Sequence, residues 1–440
     1  MEKEFLKKYS GALELLLKRT KDRRDRGILT AMGYTSNLDI LCDFDVNILN
    51  DLLEKESDVD DPGRLKPAKI ITSGKDLAET MAYFCINGIG GEVDIENTGE
   101  VTRAFNCKNG MGGTAVQAAL ALAEVGGDSL VHLTDDSKEV CDLLRSPCIY
   151  VPGKDGELYH TDSVSQSNEQ ELHFIIQFQK GDIVRIRDRE YEIPVSNRLI
   201  LTKITVNETV PFNDDYFRWI EDNASRVSSN VLSSFNCILD PDVLMDRIRY
   251  VKAHVDRYHK ANPESIVYYE DAHYHDREIR KTVLESICPV VDIAGMNEEE
   301  LSYTLKEMYG RDLDKGDIRS CIEGVEYLID KLSIRKGVVI HTKDYGMYVG
   351  EHLDADIESG LIFGNILATA KAANGWYGSV EDIDRILKYD LSPGGASFKD
   401  EVEKAGYSDR VVIVPSRYID KPKYTIGLGD SFVGGLQMCF

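Results

Sequence analysis

Short apolar runs alternate with helical patterns through the second half of the chain, and that alternation restricts the fold more than any other feature. Val231–Ser234 precedes a helix predicted over Val243–Tyr258, Ile266–Tyr269 one over Asp276–Ser286, and Val290–Ile293 one over Glu298–Met308. Val338–His341 and Val411–Val414 are further strands. Repeated strand–helix units build a parallel sheet covered on both faces, because parallel neighbours need a crossover and buried strands need two covers. The expected class is therefore α/β. The chain begins in the same style. Phe5, Tyr9, Leu13, Leu16 and Leu17 recur at helical spacing over residues 3–20, and the basic run Lys18 to Arg26 is expected to be that helix's solvated end. Ile28–Tyr34 is a buried strand, Ala115–Val125 an internal, nearly all-apolar helix, and Leu130–Leu133 another strand.

Two regions break the pattern. Glu54 to Pro67 is a polar, acidic loop, and residues from about 150 to 204 contain strands such as Leu172–Phe178 and Ile183–Ile186 with no convincing helix between them. The latter reads as a β-rich insertion, suited to be a lid. The expected organisation is a discontinuous large α/β domain over 1–35, 116–155 and 205–440. A smaller lid domain takes 36–115 and 156–204.

At 440 residues the chain can bury a sizeable core. Its net charge of −24 argues against a nucleic-acid partner, which needs a basic face. Nine scattered cysteines without a CxxC pair read as reduced thiols. No apolar run reaches eighteen residues and no secretory leader is evident, so neither a membrane nor an export route is expected, and the cytoplasm is the expected location. The oligomeric state is not legible.

Chemistry concentrates at the C-terminal end, where Tyr424 to Phe440 reads YTIGLGDSFVGGLQMCF. Glycines in a turn before a helix let the backbone approach an anion, and the opening amides favour negative charge. Asp430 in such a cradle would repel the anion, unless it is a base acting on a hydroxyl beside a transferring phosphoryl group. GLGD alone reads first as a turn with a capping aspartate, and it is the rest of the chain that favours the base. Two further acidic sites lie past strand ends, Glu270 in Tyr268-Tyr269-Glu270 and Glu300 in Asn297-Glu298-Glu299-Glu300. Carboxylates placed so suit Mg²⁺, while the second run also reads as a helix cap. Polar Asn37 and Asp39 follow the Ile28–Tyr34 strand, where open α/β sheets bind ligands. Glycine-rich runs end at Glu92 and at Gly112-Gly113-Thr114, the second read as a turn opening a helix. His173 lies in an alternating strand. Lys180, Arg185, Arg187, Arg189, Arg198 and Lys203 fall within 24 residues, a basic strip that could serve an anionic substrate or be a solvated edge.

In order, the segments GYTSNLD, GMGGTAVQAA, LHFIIQF, NRLI, YYEDA, GMNEEEL, VVIHTKDY, VVIVP and TIGLGDS resemble the ADP-dependent sugar kinases, the glucokinase and phosphofructokinase family of the ribokinase-like fold. The resemblance runs from Gly33 to the C-terminus. It implies a ribokinase-like three-layer core with a mainly parallel sheet and a β-rich lid. It implies Asp430 as general base, Gly427, Leu428 and Gly429 as anion cradle, and Arg198 on the donor phosphates. Glu270 and Glu300 would hold Mg²⁺ through water, with Asn297 beside the nucleotide. Asn37, Asp39, Gly112, Gly113 and His173 would meet the sugar, a set to which Glu92 and Lys180 are added. His341, Thr342 and Tyr345 would line the adenine pocket, joined by Val414. Three departures stand out. Tyr268 occupies a usual histidine position, with little expected effect on the metal carboxylate. Thr114 replaces a common glutamine and Gln177 a usual glutamate, which leaves the acceptor open. The implied reaction moves the β-phosphoryl of Mg·ADP to a hydroxyl of glucose or fructose 6-phosphate, leaving AMP. Lys180, on the strand that continues from His173, tips the expectation slightly toward the phosphorylated sugar. An ATP-dependent kinase on the same fold and a non-catalytic sugar or nucleotide sensor are the alternatives.

Overall fold

A computed structural model describes residues 2–164, 170–274, 276–407, 410–419 and 421–440. Its described strands form two large sheets and one hairpin. The larger sheet runs, edge to edge, Val411–Pro415, Tyr345–Gly350, Gly337–His341, Ile293–Met296, Ile266–Glu270, Val227–Leu232, Leu29–Met32, Ser129–Val131, Ile149–Pro152 and Leu158–Tyr159. Its central pairings are parallel, and antiparallel strands finish both edges, so the sheet is mainly but not wholly parallel.

Side-chain alternation sorts the two faces. Tyr268 points into the core shared with the helices Thr114–Ala123, Ile357–Asn374 and Leu428–Leu436, and Tyr269 into the core shared with Pro241–Ala261, Arg277–Ile287 and Ile318–Leu332. The result is the three-layer α/β arrangement. Aspartates start several of these helices by accepting from the first free amides, Asp240 ahead of Pro241 being one.

The smaller sheet has the order Ile70–Ile71, Gly91–Ile95, Asn197–Lys203, Leu172–Phe178, Asn37–Cys42 and Cys107–Gly112, with Ile183–Ile186 and Arg189–Glu192 as a separate hairpin. The Leu158–Tyr159 strand pairs with Ile149–Pro152 on the larger sheet, so the change of sheet falls after residue 156. Asn37 and Asp39 do not trail the first strand. They sit on a strand of their own, which a period-two pattern of polar and apolar residues (Asn37-Leu38-Asp39-Ile40) allows. Cys107–Gly112 is likewise a strand and not a turn, running opposite Asn37–Cys42 with Gly112 across from Asn37.

The chain passes between the two sheets four times, taking its described strands in order. The crossings are stitched together. Ser36 donates its amide to Thr134 Oγ1 at 3.0 Å, Thr134 Oγ1 donates to Asn207 Oδ1 at 2.6 Å, Glu171 N donates to Asp135 Oδ2 at 2.9 Å, and Thr205 N donates to Glu171 Oε2 at 2.6 Å. At the other end of the molecule the basic run of the first helix, Glu2–Asp25, is not simply solvated. Arg23 turns inward to Gln437 O (3.1 Å) and Ser228 Oγ (2.6 Å), and Arg24 pairs with Asp128, because this end packs on the C-terminal segment. No described helix is long and apolar enough to cross a membrane.

Leu428–Leu436 lies wedged between Thr114–Ala123 and Ile357–Asn374, and small residues permit it. A Cβ on Gly435 would stand 2.5 Å from the carbonyl oxygen of Phe363, and one on Gly434 equally close to that of Ala118. Neither backbone can yield, so Gly435→Val should cost about 1–3 kcal/mol or more by overpacking. Urea unfolding checks this; an unchanged midpoint would mean the helices separate freely.

Candidate active site

Asp430 sits in the first turn of Leu428–Leu436, with Gly427 as the left-handed residue before it (φ 65°). The Gly427 carbonyl accepts from Ser431 N at 3.1 Å and Ser431 Oγ at 3.0 Å, which leaves the first amides of the helix pointing outward. Burial lifts the Asp430 carboxyl to about 6, against the pull of Lys371 and of a hydrogen bond from Thr114, and with a further push from Glu270. A carboxylate poised near neutrality is suited to take a proton. Thr114, a departure in sequence, thus acquires a place: it hydrogen-bonds the Asp430 carboxylate.

On the sheet side, Glu270 uses both oxygens. His341 Nε2 lies 2.7 Å from Oε1, and Tyr268 Oη donates to Oε2 at 2.9 Å. The tyrosine in the usual histidine position therefore touches the carboxylate directly, since residues two apart on a strand share a face. Burial opposes a charge on His341, yet Glu270 outweighs it and raises the imidazole to about 9. Its ring also lies against Phe432 and Gly429. Asn297 and Glu300 form a capping box: Asn297 Oδ1 accepts from Glu299 N and Glu300 N, and Glu300 Oε2 accepts from Asn297 N at 2.8 Å. Burial, Asp271 and Glu270 hold the Glu300 carboxyl well above the usual range. Among the described residues no three His, Cys, Asp or Glu side chains form a metal cage. Glu270 and Glu300, whose carboxyls influence each other through space, nevertheless fit a hard divalent ion held mostly by water.

Against the smaller sheet lies a cleft of about 490 Å³ lined by Gly90, Gly91, Glu92, Glu171, His173, Asn197, Arg198, Thr202, Glu208, Asn236 and His273, among others. Asn37 Nδ2 donates to Asp39 Oδ1 (2.8 Å) and lies 3.1 Å from His173 Nδ1, and His173 Nε2 is 3.6 Å from Glu171 Oε1. These contacts follow from register, which sets Asp39 beside His173. Burial works against a charged His173, but Glu171, Asp39 and Glu92 raise its pKa. Glu92 accepts from Thr202 Oγ1 at 2.5 Å. Arg198 is set opposite Gln177 across the strand pair. Gly113 is the residue on which the chain turns from the Cys107–Gly112 strand into the Thr114–Ala123 helix.

Lys180 is not among the cleft residues. It lies exposed in the turn after Leu172–Phe178, its amide donating to Ser196 Oγ. Arg185 pairs with Glu190 across the hairpin and Arg187 donates to Ser57 O. The strand that carries His173 ends at Phe178 and the chain reverses, so of the basic strip Arg198 lines the cleft while Lys180, Arg185 and Arg187 do not. Of the residues expected beside adenine, Thr342 Oγ1 accepts from Tyr345 N and closes the turn between two strands. Tyr345 is buried against Phe398, and Val414 is fully buried with its carbonyl accepting from Asn365.

The sequence reading missed three groups. Glu171 lies under His173. Lys371, with Gln117, lies behind Gly427; its only signal is a lysine within the apolar helix run Leu361–Ala373. Arg280 is fully buried. It joins Asp271 by an ion pair and donates to Thr304 Oγ1 and Ala272 O, tying the end of Ile266–Glu270 to the Glu298–Tyr309 helix. Arg280→Ala would strand the buried Asp271 carboxylate and should cost about 3–5 kcal/mol in denaturant unfolding. A cost below 1 kcal/mol would mean that Asp271 finds water instead.

Comparison with known proteins places this geometry. A family model, ADP-specific phosphofructokinase/glucokinase conserved region, matches residues 29–435. The ADP-specific phosphofructokinase of Pyrococcus furiosus is 25% identical over 446 residues, covering 95% of this chain and 97% of its own. The ADP-dependent glucose/glucosamine kinase of the same organism is 24% identical over 454 residues, covering 96% and 95%. Among solved structures, the last common ancestor of ADP-dependent phosphofructokinases from Methanosarcinales superposes with a TM-score of 0.79 at 22% identity, covering 100% of this chain and 98% of that one. An ADP-dependent kinase in complex with fructose 6-phosphate and ADPβS gives 0.75 at 19% identity, covering 99% and 97%. With nearly its whole length matched by one family model, the chain belongs to the ADP-specific phosphofructokinase/glucokinase family.

Proposed function

We propose that the protein is an ADP-dependent sugar kinase whose acceptor is an unphosphorylated hexose such as glucose. Family membership supports the reaction class, and relatives named for both acceptors match about equally well. The observation that carries the choice is the charge of the cleft. Glu92, Glu171 and Glu208 line it, with Arg198, His173 and His273 as its basic residues. His173 is engaged by Glu171, and we assign Arg198 to the donor phosphates. A sugar phosphate would bring about two more negative charges to a lining that is already acidic, whereas carboxylates and Asn37 suit neutral hydroxyls.

In this reading Asp39, Asn37, Glu92 and His173 orient the sugar, and Asp430 accepts the proton of the attacking hydroxyl. The amides of Leu428 and Gly429 face the charge that develops on the moving phosphoryl. Glu270 and Glu300 would hold Mg²⁺ through water, where the ion would neutralise charge on the donor phosphates. Asn297, His341, Thr342, Tyr345 and Val414 make up the nucleotide side. The smaller sheet covers the cleft and keeps water from competing as acceptor.

Asp430→Asn tests the base. Turnover should fall by roughly 10²–10⁴-fold with ADP binding little changed. The same variant should gain stability. A buried acid with its folded-state pKa raised from 3.8 to about 6 is destabilising once ionised, a cost absent below the unfolded pKa and complete above the folded one. Asp430→Asn should therefore unfold later than wild type above pH 6, by on the order of 1–3 kcal/mol, and alike near pH 3.5. Near-normal turnover would remove the assigned mechanism.

A coupled assay over donors and sugars tests the substrates. ADP should surpass ATP, and glucose should surpass fructose 6-phosphate by at least roughly 10-fold in kcat/KM, the worth of one charge-assisted contact. Lys180→Ala should leave both sugars as they were. A preference for fructose 6-phosphate that Lys180→Ala abolishes would overturn the acceptor assignment and leave the kinase reading standing.

A further inference from the structure

Behind the Gly427 turn, on the side away from the outward-pointing amides, lies a lysine that the reaction as described does not use. Lys371 comes from Ile357–Asn374 and is 1% exposed. Its Nζ donates to Gln117 Oε1 at 2.5 Å and to the Gly427 carbonyl at 3.3 Å, and it stands 4.2 Å above the centre of the Tyr377 ring. Tyr377 Oη donates to the same Gln117 oxygen at 3.3 Å. Each hydrogen-bond partner is neutral, which is unusual for a buried ammonium, since an unpaired charge inside a protein is costly. The nearby acids are Asp430 and Asp39, and both act on it through space.

The placement is specific. Gln117 lies one helical turn after Thr114, so a single turn of Thr114–Ala123 reaches the base with one side chain and the ammonium with another. A Cβ on Gly427 would run into Gln117 Oε1 and Lys371 Nζ, so glycine is required there by this pair as well as by its positive φ.

We propose that Lys371 is a positioning residue of the phosphoryl-transfer site: held by Gln117 and Tyr377, its ammonium fixes the Gly427 carbonyl, and with it the amides that follow, and supplies the buried positive charge that faces Asp430. The inference rests on Asp430 being the base. Its electrostatic consequence has a definite sign. Asp430 is faced by Lys371 and His341, which favour its ionised form, by Glu270, which opposes it, and by the Thr114 hydroxyl. Lys371 is faced by Asp430 and Asp39, with the Tyr377 and Tyr424 rings beside it, and burial brings its pKa down to about 8. The site should be competent between the two values, with Asp430 ionised and Lys371 still charged.

The test is the pH dependence of kcat/KM in the full chain, for wild type, Lys371→Met and Lys371→Arg. Lys371→Met should lower kcat by roughly 10²-fold with KM for ADP and sugar little changed, and should move the acidic limb to higher pH because a favourable cation is gone. Lys371→Arg keeps a charge that does not titrate in this range. It should recover much of kcat, hold the acidic limb near its wild-type position and lose the alkaline limb near pH 8. Should Lys371→Met fail to fold, the arginine variant decides alone: an alkaline limb unmoved from wild type overturns the proposal. So does a Lys371→Met enzyme that melts earlier but keeps wild-type kcat and both limbs, for then the lysine only packs. Asp430→Asn, assayed alongside, separates the two readings. If that variant stays active the base assignment has failed, and if it is inactive while the lysine variants keep wild-type profiles only this inference has.

Discussion

The site depends on burying the N-terminal end of one short helix. Leu428–Leu436 holds an aspartate and the opening amides of the helix in a half-buried first turn, its remainder buried, and it can do so because Gly434 and Gly435 let the backbones of two neighbouring helices come within contact distance. Burial then does chemical work at each group. It lifts Asp430 toward neutrality, lowers Lys371 and raises Glu300, so groups of ordinary composition acquire proton affinities near physiological pH. A surface loop with the same four residues would have an aspartate of ordinary acidity.

Charge inside the molecule is arranged in separate compartments. Arg280 answers Asp271, His341 and Tyr268 answer Glu270, and Lys371 acts on Asp430 through space, while Thr114 hydrogen-bonds it. Within the second and third of these groups the side chains are hydrogen-bonded beforehand rather than left to adjust.

Much of the fold was readable from the alternation of strands and helices. Leu172–Phe178 and Ile183–Ile186 appear at the predicted bounds. The Asn37–Cys42 strand was not readable, because its polar face looks inward to a cleft, and inward polarity has no local signature. Cys107–Gly112 was hidden because its glycines imitate a turn. In the candidate site, Asp430, Glu270 and Glu300 announced themselves by position after strands. Lys371 and Arg280 did not: each is a basic residue within a helix, and only packing reveals that it points inward and to which acid. Lys180 misled for the complementary reason. Two residues past a strand end, the chain reverses, and sequence adjacency to His173 no longer means spatial adjacency.

The fourfold passage of the chain between the sheets has a mechanical consequence. One or two connecting segments would let the smaller sheet twist and slide over the larger as well as swing. Four segments side by side, laced by Ser36, Thr134, Asn207 and Glu171, resist torsion and shear together, since either would stretch several of those bonds at once. What remains soft is bending about the line on which the crossings lie. Such a joint has the mechanics of a strap hinge, which keeps Asn37, Asp39 and His173 in one register relative to the larger sheet.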